Sequence, residues 1–403
     1  MNLAQTPDVS QSTVSRVSLI QPVTVGVLAA VVGYTSTFTI VLQGFEAVGG
    51  SPEQAASGLM VTSVIMGFLG IVASLIWRQP ISIVWSTPAS ALLISTGAQA
   101  GGYPAAIGSL IAAAALIVAS GQIRPLGRLV AAIPASLANA MLAGILFEIC
   151  LAPVHAAAAQ PAIVLPIVIA WVLGLRFARR FAVPIAMLVT AAITVFVTRL
   201  PPDALAHTWP NLVLTAPSWN WSAAASLTIP LFIVTMASQN LPGLTVLRSQ
   251  GYKPDVQKLF TITGLSSMAG AVGGGGLISF AAITAALTAG PEAHPDPNKR
   301  YISTVVGGVA YILLGLASPL AAALIVAAPT MAIKAVAGLA LMTSFAGALA
   351  TSLQEPDQRV AVIATFVVSA SGISFFGVGA SFWGLLVGGL LLVSETWRRN
   401  GAA

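Results

Sequence analysis

Residues 81–97 read ISIVWSTPASALLISTG, and residues 273–290 read GGGGLISFAAITAALTAG. Both are apolar, yet neither suits an ordinary membrane-crossing helix, which takes about 20 apolar residues. In the first, Ile81 to Thr87 are mostly β-branched, serine or aromatic, which favours extended chain. Pro88 disfavours helix before it and suits a first helical turn. Ala89 to Thr96 then predict a helix about 12 Å long, under half the hydrocarbon thickness. In the second, Gly273 to Gly276 oppose a continuous helix. Leu277 to Phe280 are expected to be extended, and Ala281 to Ala289 to form the half-helix. Aligning Gly97 with Gly290 pairs Pro88 with Ala281 and Ser86 with Ser279.

Backbone that is not helical at membrane depth is tolerated only inside protein or beside a polar cavity. Two half-helices meeting N-terminus to N-terminus would offer free N–H groups and partial positive charge. An anion fits between them without any lysine or arginine. Ser86, Thr87, Pro88, Ala89 and Ser90, with Ser279, Phe280, Ala281, Ala282 and Ile283, are therefore candidate substrate-binding residues. The other reading is a pair of ordinary short or kinked helices. The glycine run is not a phosphate loop, because no Gly-Lys-Ser/Thr follows it.

Composition sets the solvent. The 403 residues are 57% hydrophobic and 7% charged, with a mean hydropathy of +0.93. A soluble domain carries about 25% charged residues, so the bilayer must replace water around this chain. The net charge of +6 is scattered in ones, twos and threes, with no basic stripe, which speaks against nucleic acid. One cysteine, Cys150, allows no intrachain disulfide. His155, His207 and His294 are expected in separate loops. No HExxH or CxxC spacing exists, so neither a metal nor a cofactor is expected. Residues 1–17 lack the features of a signal peptide and predict a retained cytoplasmic tail.

Clear apolar spans run roughly 20–43, 54–77, 103–122, 129–150, 161–176, 182–199, 223–247, 256–273, 301–318, 329–351, 359–374 and 377–394. The two broken stretches raise the expected total to fourteen. With both termini inside, all of the 17 basic residues except Arg199 and Lys334 fall at cytoplasmic ends, as positive-inside topology requires. Internal similarity points the same way. PLGRLVAAIP at 125–134 resembles PLAAALIVAAP at 319–329, and VLQGFEAVGGSP at 41–52 resembles VLRSQGYKP at 246–254. With the two broken stretches, these pairs lie in the same order, roughly 200 residues apart. Seven segments is odd, so the second half should enter the membrane inverted. The expected fold is thus all-α and polytopic: fourteen segments in two inverted repeats of seven, with a short strand plus half-helix in segments 3 and 10.

Polar residues inside spans supply further candidates. Gln239 and Asn240 are adjacent amides in an apolar segment, costly without partners. They are expected to line the site and donate to substrate; hydrogen bonding between helices is the alternative. Tyr34 and Phe38 share one helix face with Thr37 and could sandwich a flat ring, or could be packing aromatics. Glu46 and Glu148 lie near the outer ends of segments 1 and 5. They are candidates for proton coupling or for solvated interface positions. Lys334 could snorkel or face a cavity.

From about Val17 to Arg398 the chain resembles the benzoate:proton symporter family of BenE type. The resemblance rests on QPVTVGVLAAVVGYTSTFTIVLQG at 21–44, WSTPASALLISTG at 85–97, ASQNLPGLTVL at 237–247 and GGGGLISFAAITAALTAG at 273–290. It implies the 7+7 inverted-repeat fold shared with nucleobase–cation symporters and anion exchangers. A core domain would comprise 18–122 and 201–318, and a gate domain 123–200 and 319–397, the latter often the contact of a homodimer. It also implies elevator-like alternating access in a bacterial inner membrane, with an aromatic carboxylate and a proton as cargo. Nucleobase carriers place acids in segments 8 and 10, where this chain has Gln239 and Ser279 or Phe280. Losing those acids suits an anionic cargo, because like charges repel. The rivals are a nucleobase or other neutral-ring symporter and an anion channel. An enzyme is not expected, since no catalytic constellation lies within the spans.

Overall fold

The computed structural model describes residues 9–123, 125, 127, 133–198 and 209–401. The first half of the expected tail, Arg124, Arg128, Arg199, His207 and much of the 125–134 repeat stretch lie outside those residues.

The regular elements of the described chain are helices and two short strands. α1 spans Val9–Ala47, α2 Pro52–Trp77, α3 Thr87–Thr96, α4 Gly102–Gln122, α5 Ala135–Ala159 and α6 Pro161–Phe177. α7 spans Ala182–Ile193, and α8 is the composite helix Trp221–Ser249. α9 spans Val256–Val272, α10 Ala282–Ala289, α11 Tyr301–Leu316 and α12 Ser318–Ala327. α13 spans Thr330–Ser352, α14 Arg359–Ala370 and α15 Ala380–Gly401. Strand β1, Ile83–Trp85, precedes α3, and strand β2, Ile278–Phe280, precedes α10. Among the described residues, seven helices are long and apolar enough to cross a membrane. Pro297–Leu316 with Ser318–Ile325, bent by 53°, makes an eighth.

The most extensive helix pairings are α5 with α13, α2 with α11, α4 with α9, α1 with α11, and α14 with α15. Small residues let these backbones approach, as helices in lipid require. A Cβ on Gly67 would meet the Gly308 carbonyl at 2.5 Å, and one on Gly308 would meet that of Gly67 at 2.6 Å.

Several boundaries differ from expectation. The segment expected to end near Cys150 continues to Ala159, through Pro153. A proline inside a helix sacrifices one hydrogen bond and crowds the preceding turn. Here Gly338 of α13 leaves room for its ring, since a Cβ there would collide with Pro153. His155 is therefore helical rather than in a loop, and Glu148 sits within α5 rather than at its end. The tail expected over 1–17 is helical from Val9 onward. The stretch 319–329 is helix α12 for most of its length.

α8 widens to π-helical winding over Ala224–Thr228 and again over Met236–Asn240. Each widened turn ends just before a proline pair position, Ile229-Pro230 and Leu241-Pro242. A proline clashes with the carbonyl four residues earlier, and a π turn relieves that clash locally.

Candidate functional site

The two interrupted segments meet. β1 and β2 pair antiparallel, with Ile83 opposite Phe280, Val84 opposite Ser279 and Trp85 opposite Ile278. The Ser86 N–H extends the ribbon by donating to the Leu277 carbonyl at 2.8 Å. Antiparallel pairing sends α3 and α10 away in opposite directions, so both N-termini face the ribbon. At α3 the Ser86 hydroxyl caps by accepting from the Ala89 N–H at 3.3 Å. At α10 no side chain caps the N-terminus, so its first N–H groups are left for another acceptor.

The ribbon is held from several sides. Asn240, fully buried on the π turn of α8, accepts from the Phe280 N–H through Oδ1 at 3.0 Å. Its amide Nδ2 donates to the Met236 sulfur at 3.1 Å. The Ser86 and Thr235 hydroxyls share a hydrogen bond of 3.0 Å. The Ile278 N–H donates to Ser267 Oγ at 3.1 Å, and the Gly276 N–H to Thr62 Oγ1 at 2.9 Å. The glycine run folds back on α9, where Gly274 N–H donates to the Ala271 carbonyl and Gly275 N–H to that of Gly270. Gly274 has φ +83°, a conformation glycine adopts without Cβ strain. Gly58 of α2 must also lack a Cβ, because one would collide with the Gly274 carbonyl oxygen.

An aromatic cluster adjoins β1. The Trp85 indole N–H donates to Thr37 Oγ1 at 2.9 Å, and its ring lies 5.2 Å from that of Tyr34. Tyr34 and Phe38 stack on each other at 5.6 Å, so no ring can lie between them. The Tyr34 hydroxyl is committed to Ser318 at 2.9 Å. Phe280 stacks on Phe260 of α9 at 6.1 Å.

Of the residues expected at the site, those of α3, β2, the start of α10 and Asn240 gather at the ribbon, with Tyr34 and Phe38 reached through Trp85. Gln239 precedes Asn240 on the π turn and is half-buried. Ile283 is 78% exposed, so what it offers the site is its N–H. Ser279 is fully buried, and its Oγ has no partner among the described residues. Glu46 is exposed at the end of α1. Glu148 lines a separate cavity of about 260 Å³, with Ser95 and Thr96 at the far end of α3. Trp85, Thr235 and Ser267 are not among the binding residues expected from sequence, and Thr37 enters there only as sharing a helix face with Tyr34 and Phe38. Trp85 carried a signal nonetheless, because a buried indole N–H needs an acceptor.

The comparisons agree with one another. The family profile described as "Benzoate membrane transport protein" (BenE) matches residues 17–393. The chain is 34% identical over 368 residues to "Inner membrane protein YdcO" of Escherichia coli K12, covering 91% of this chain and 94% of that one. It is 30% identical over 363 residues to "Benzoate membrane transport protein" of Acinetobacter baylyi, covering 90% and 92%. Among solved structures, the transmembrane domain of the cyanobacterial bicarbonate transporter BicA superposes with a TM-score of 0.60 at 14% identity, covering 91% of this chain and 97% of that one. SLC26A9 gives 0.53 at 14% identity, covering 90% and 65%. At that identity the structures speak to the fold alone, which the chain shares with the BicA transmembrane domain. The sequence matches span the interrupted segments and nearly everything else, and on them this multi-pass membrane protein belongs to the BenE family of benzoate membrane transport proteins, which are transporters and not enzymes.

Proposed function

We propose that the chain is a benzoate, or closely related aromatic carboxylate, symporter that carries one proton with each anion. The observation that carries this reading is the β1–β2 ribbon with a short helix leaving each end. Two N-termini turned toward one point favour negative charge by the sum of their free N–H groups and dipoles. The uncapped start of α10 and the unpartnered Ser279 hydroxyl are donors available to a carboxylate. The Gln239 side chain makes no hydrogen bond among the described residues, so its amide is free to join the site.

We extend the reading to fourteen segments in two inverted repeats, with both termini cytoplasmic in a bacterial inner membrane. Residues 18–122 and 201–318 form the core, and 123–200 and 319–397 the gate. Supporting this, α2, α4 and α1 pack chiefly on α11 and α9 within the proposed core, while α5, α13, α14 and α15 pack on one another within the proposed gate. Movement of one against the other gives elevator-like alternating access, and the gate is the surface through which a homodimer would form. Of the two acids weighed for proton coupling, Glu148 lines a cavity between the proposed domains and Glu46 does not.

A neutral-ring cargo is disfavoured by Asn240, whose amide is spent on Phe280 and Met236. One proton moving with one monoanion transfers no net charge. A pH gradient would then drive uptake by about 1.4 kcal/mol per unit. Membrane potential, worth about 2.3 kcal/mol per charge per 100 mV, would not contribute directly. Purified protein in liposomes with imposed pH and voltage tests this. Benzoate uptake that follows voltage and ignores the pH gradient rejects electroneutral symport, and unitary currents in bilayers would reassign the protein as a channel. Competition by uracil as strong as by benzoate would favour the neutral-ring cargo.

A further inference from the structure

The ribbon is not the only place built to meet a carboxyl group. A cavity of about 260 Å³ lies between the C-terminal end of α3, the first turns of α8, the middle of α5, the end of α14 and the start of α15. Its lining is rich in small polar residues, among them Ser95, Ser226, Ser369 and Ser381, and includes Glu148. Drug-sized ligands occupy pockets from about 300 Å³ upward, and a single-ring acid is smaller.

Three features of the cavity point to its ligand. Ala380 and Ser381, the first residues of α15, line one wall, so the N-terminus of a 22-residue helix borders it with no acidic residue in its first turn. Such an end attracts negative charge. Ser369 is 5% exposed, and its Oγ has no hydrogen-bond partner among the described residues. Glu148 is the single ionisable side chain among the lining residues.

Among the described residues, the elements packed around Glu148 supply no other titratable group to the cavity. α3 has none. Arg359 stands at the start of α14, away from Ser369. Glu395, Arg398 and Arg399 stand at the far end of α15, and Arg248 at the far end of α8. His155 and Cys150 on α5 and Lys334 on α13 are not among the lining residues.

The loop after α14 closes one side. Ser222 and Ser226 donate to the Gly377 carbonyl at 2.5 and 3.0 Å, and the Gly379 N–H donates to Ser226 at 3.1 Å.

We propose that this cavity is a vestibular binding site for the cargo's carboxyl group, and that Glu148 there holds the co-transported proton. The inference rests on the symport reading above. A bare carboxylate cargo beside a bare Glu148 carboxylate is repelled, with no cationic side chain among the described lining residues to offset it. One proton between the two groups turns repulsion into a charge-assisted hydrogen bond, O–H donating to O⁻. The α15 N-terminus and Ser381 then take the remaining negative charge. Binding therefore requires one proton per anion, which is the coupling that symport needs. No bond other than that hydrogen bond is made or broken. With the termini cytoplasmic, the cavity lies on the outer side, where cargo arrives.

Three preparations in liposomes test it: wild type, Glu148→Gln and Ser95→Leu, the last filling the cavity from the α3 wall. Each is assayed for exchange of labelled benzoate at equal pH and for accumulation driven by a pH gradient. Glu148→Gln is expected to lose gradient-driven accumulation by about tenfold or more, with exchange falling less, and Ser95→Leu to weaken apparent benzoate affinity by about tenfold. Calorimetry in buffers of different ionisation heat is expected to register proton uptake with benzoate binding in wild type and none in Glu148→Gln. Wild-type exchange together with undiminished pH-driven accumulation by Glu148→Gln, or unchanged affinity in Ser95→Leu, overturns the vestibule alone. Wild type that exchanges no benzoate overturns the symport reading and the vestibule with it.

Discussion

Asn240 accepts a hydrogen bond from the backbone N–H of Phe280 at 3.0 Å, tying the π turn of α8 to strand β2. Both residues are buried, so the bond holds one half of the ribbon in place where no water could substitute.

Replacing Asn240 tests that tie. Asn240→Ala leaves the Phe280 N–H buried without an acceptor, at a cost of about 1–3 kcal/mol. A lower melting temperature of the purified protein and reduced benzoate uptake are expected. Asn240→Asp keeps an acceptor of the same shape but adds negative charge beside the proposed carboxylate site. It is expected to retain more stability than the alanine variant while losing benzoate binding, measured by titration. Equal loss of stability in the two variants would show that the acceptor is not what matters.

Ser86 both caps α3 and bonds to Thr235. Ser86→Ala should cost about 0.5–2 kcal/mol from the cap alone, and Ser86→Thr should recover most of it. Thermal unfolding in detergent reads the stability, and benzoate KM reads whether α3 has moved. A KM raised in alanine and restored in threonine is the expected pattern.

Gly243 packs directly on β2, because a Cβ there would sit 2.6 Å from the Phe280 Cβ. Gly243→Ala must displace the ribbon or α8, and overpacking of this kind costs about 1–3 kcal/mol. Lower folded yield and lower transport are expected, whereas Gly389→Ala, which meets open space, should match wild type. Indistinguishable variants would argue that the ribbon is loosely held.

Arg300 is buried and donates to the carbonyls of Ala289, His294 and Pro295 at 2.8, 2.7 and 3.4 Å. It thereby anchors the C-terminal end of α10, where a cation also suits the helix dipole. Arg300→Lys keeps the charge but not the planar fork. A loss of about 1.5–3 kcal/mol for each charged hydrogen bond forgone is expected, read as a fall in melting temperature. Full stability in the lysine variant would reduce Arg300 to an orientation charge.

The broken segments were legible because proline, glycine and β-branched residues act locally: Pro88 and Gly273 to Gly276 oppose helix whatever surrounds them. Asn240 was legible as a residue in need of partners, but not that those partners would include the Phe280 backbone N–H and the Met236 sulfur. Tyr34 and Phe38 were legible as sharing a face, yet they stack on each other, and Tyr34 also meets the Trp85 ring at a tilt. Glu148 reads as an end-of-helix acid because the apolar span reads as 129–150, whereas the helix continues through Pro153 to Ala159. The opposing Gly338, nearly two hundred residues away, is what lets the helix run on.

By itself, the order of residues determined that the chain lives in lipid, where helix is interrupted and where charge is excluded, since these follow from hydropathy and local backbone sterics. Only the tertiary structure decided that the two interruptions pair as one ribbon, which donors around it are already spent, and that Glu148 shares a cavity with the start of α15. Those outcomes depend on which distant groups come within about 3 Å of one another, and hydrogen bonds of that reach are set by helix packing rather than by neighbours in the chain.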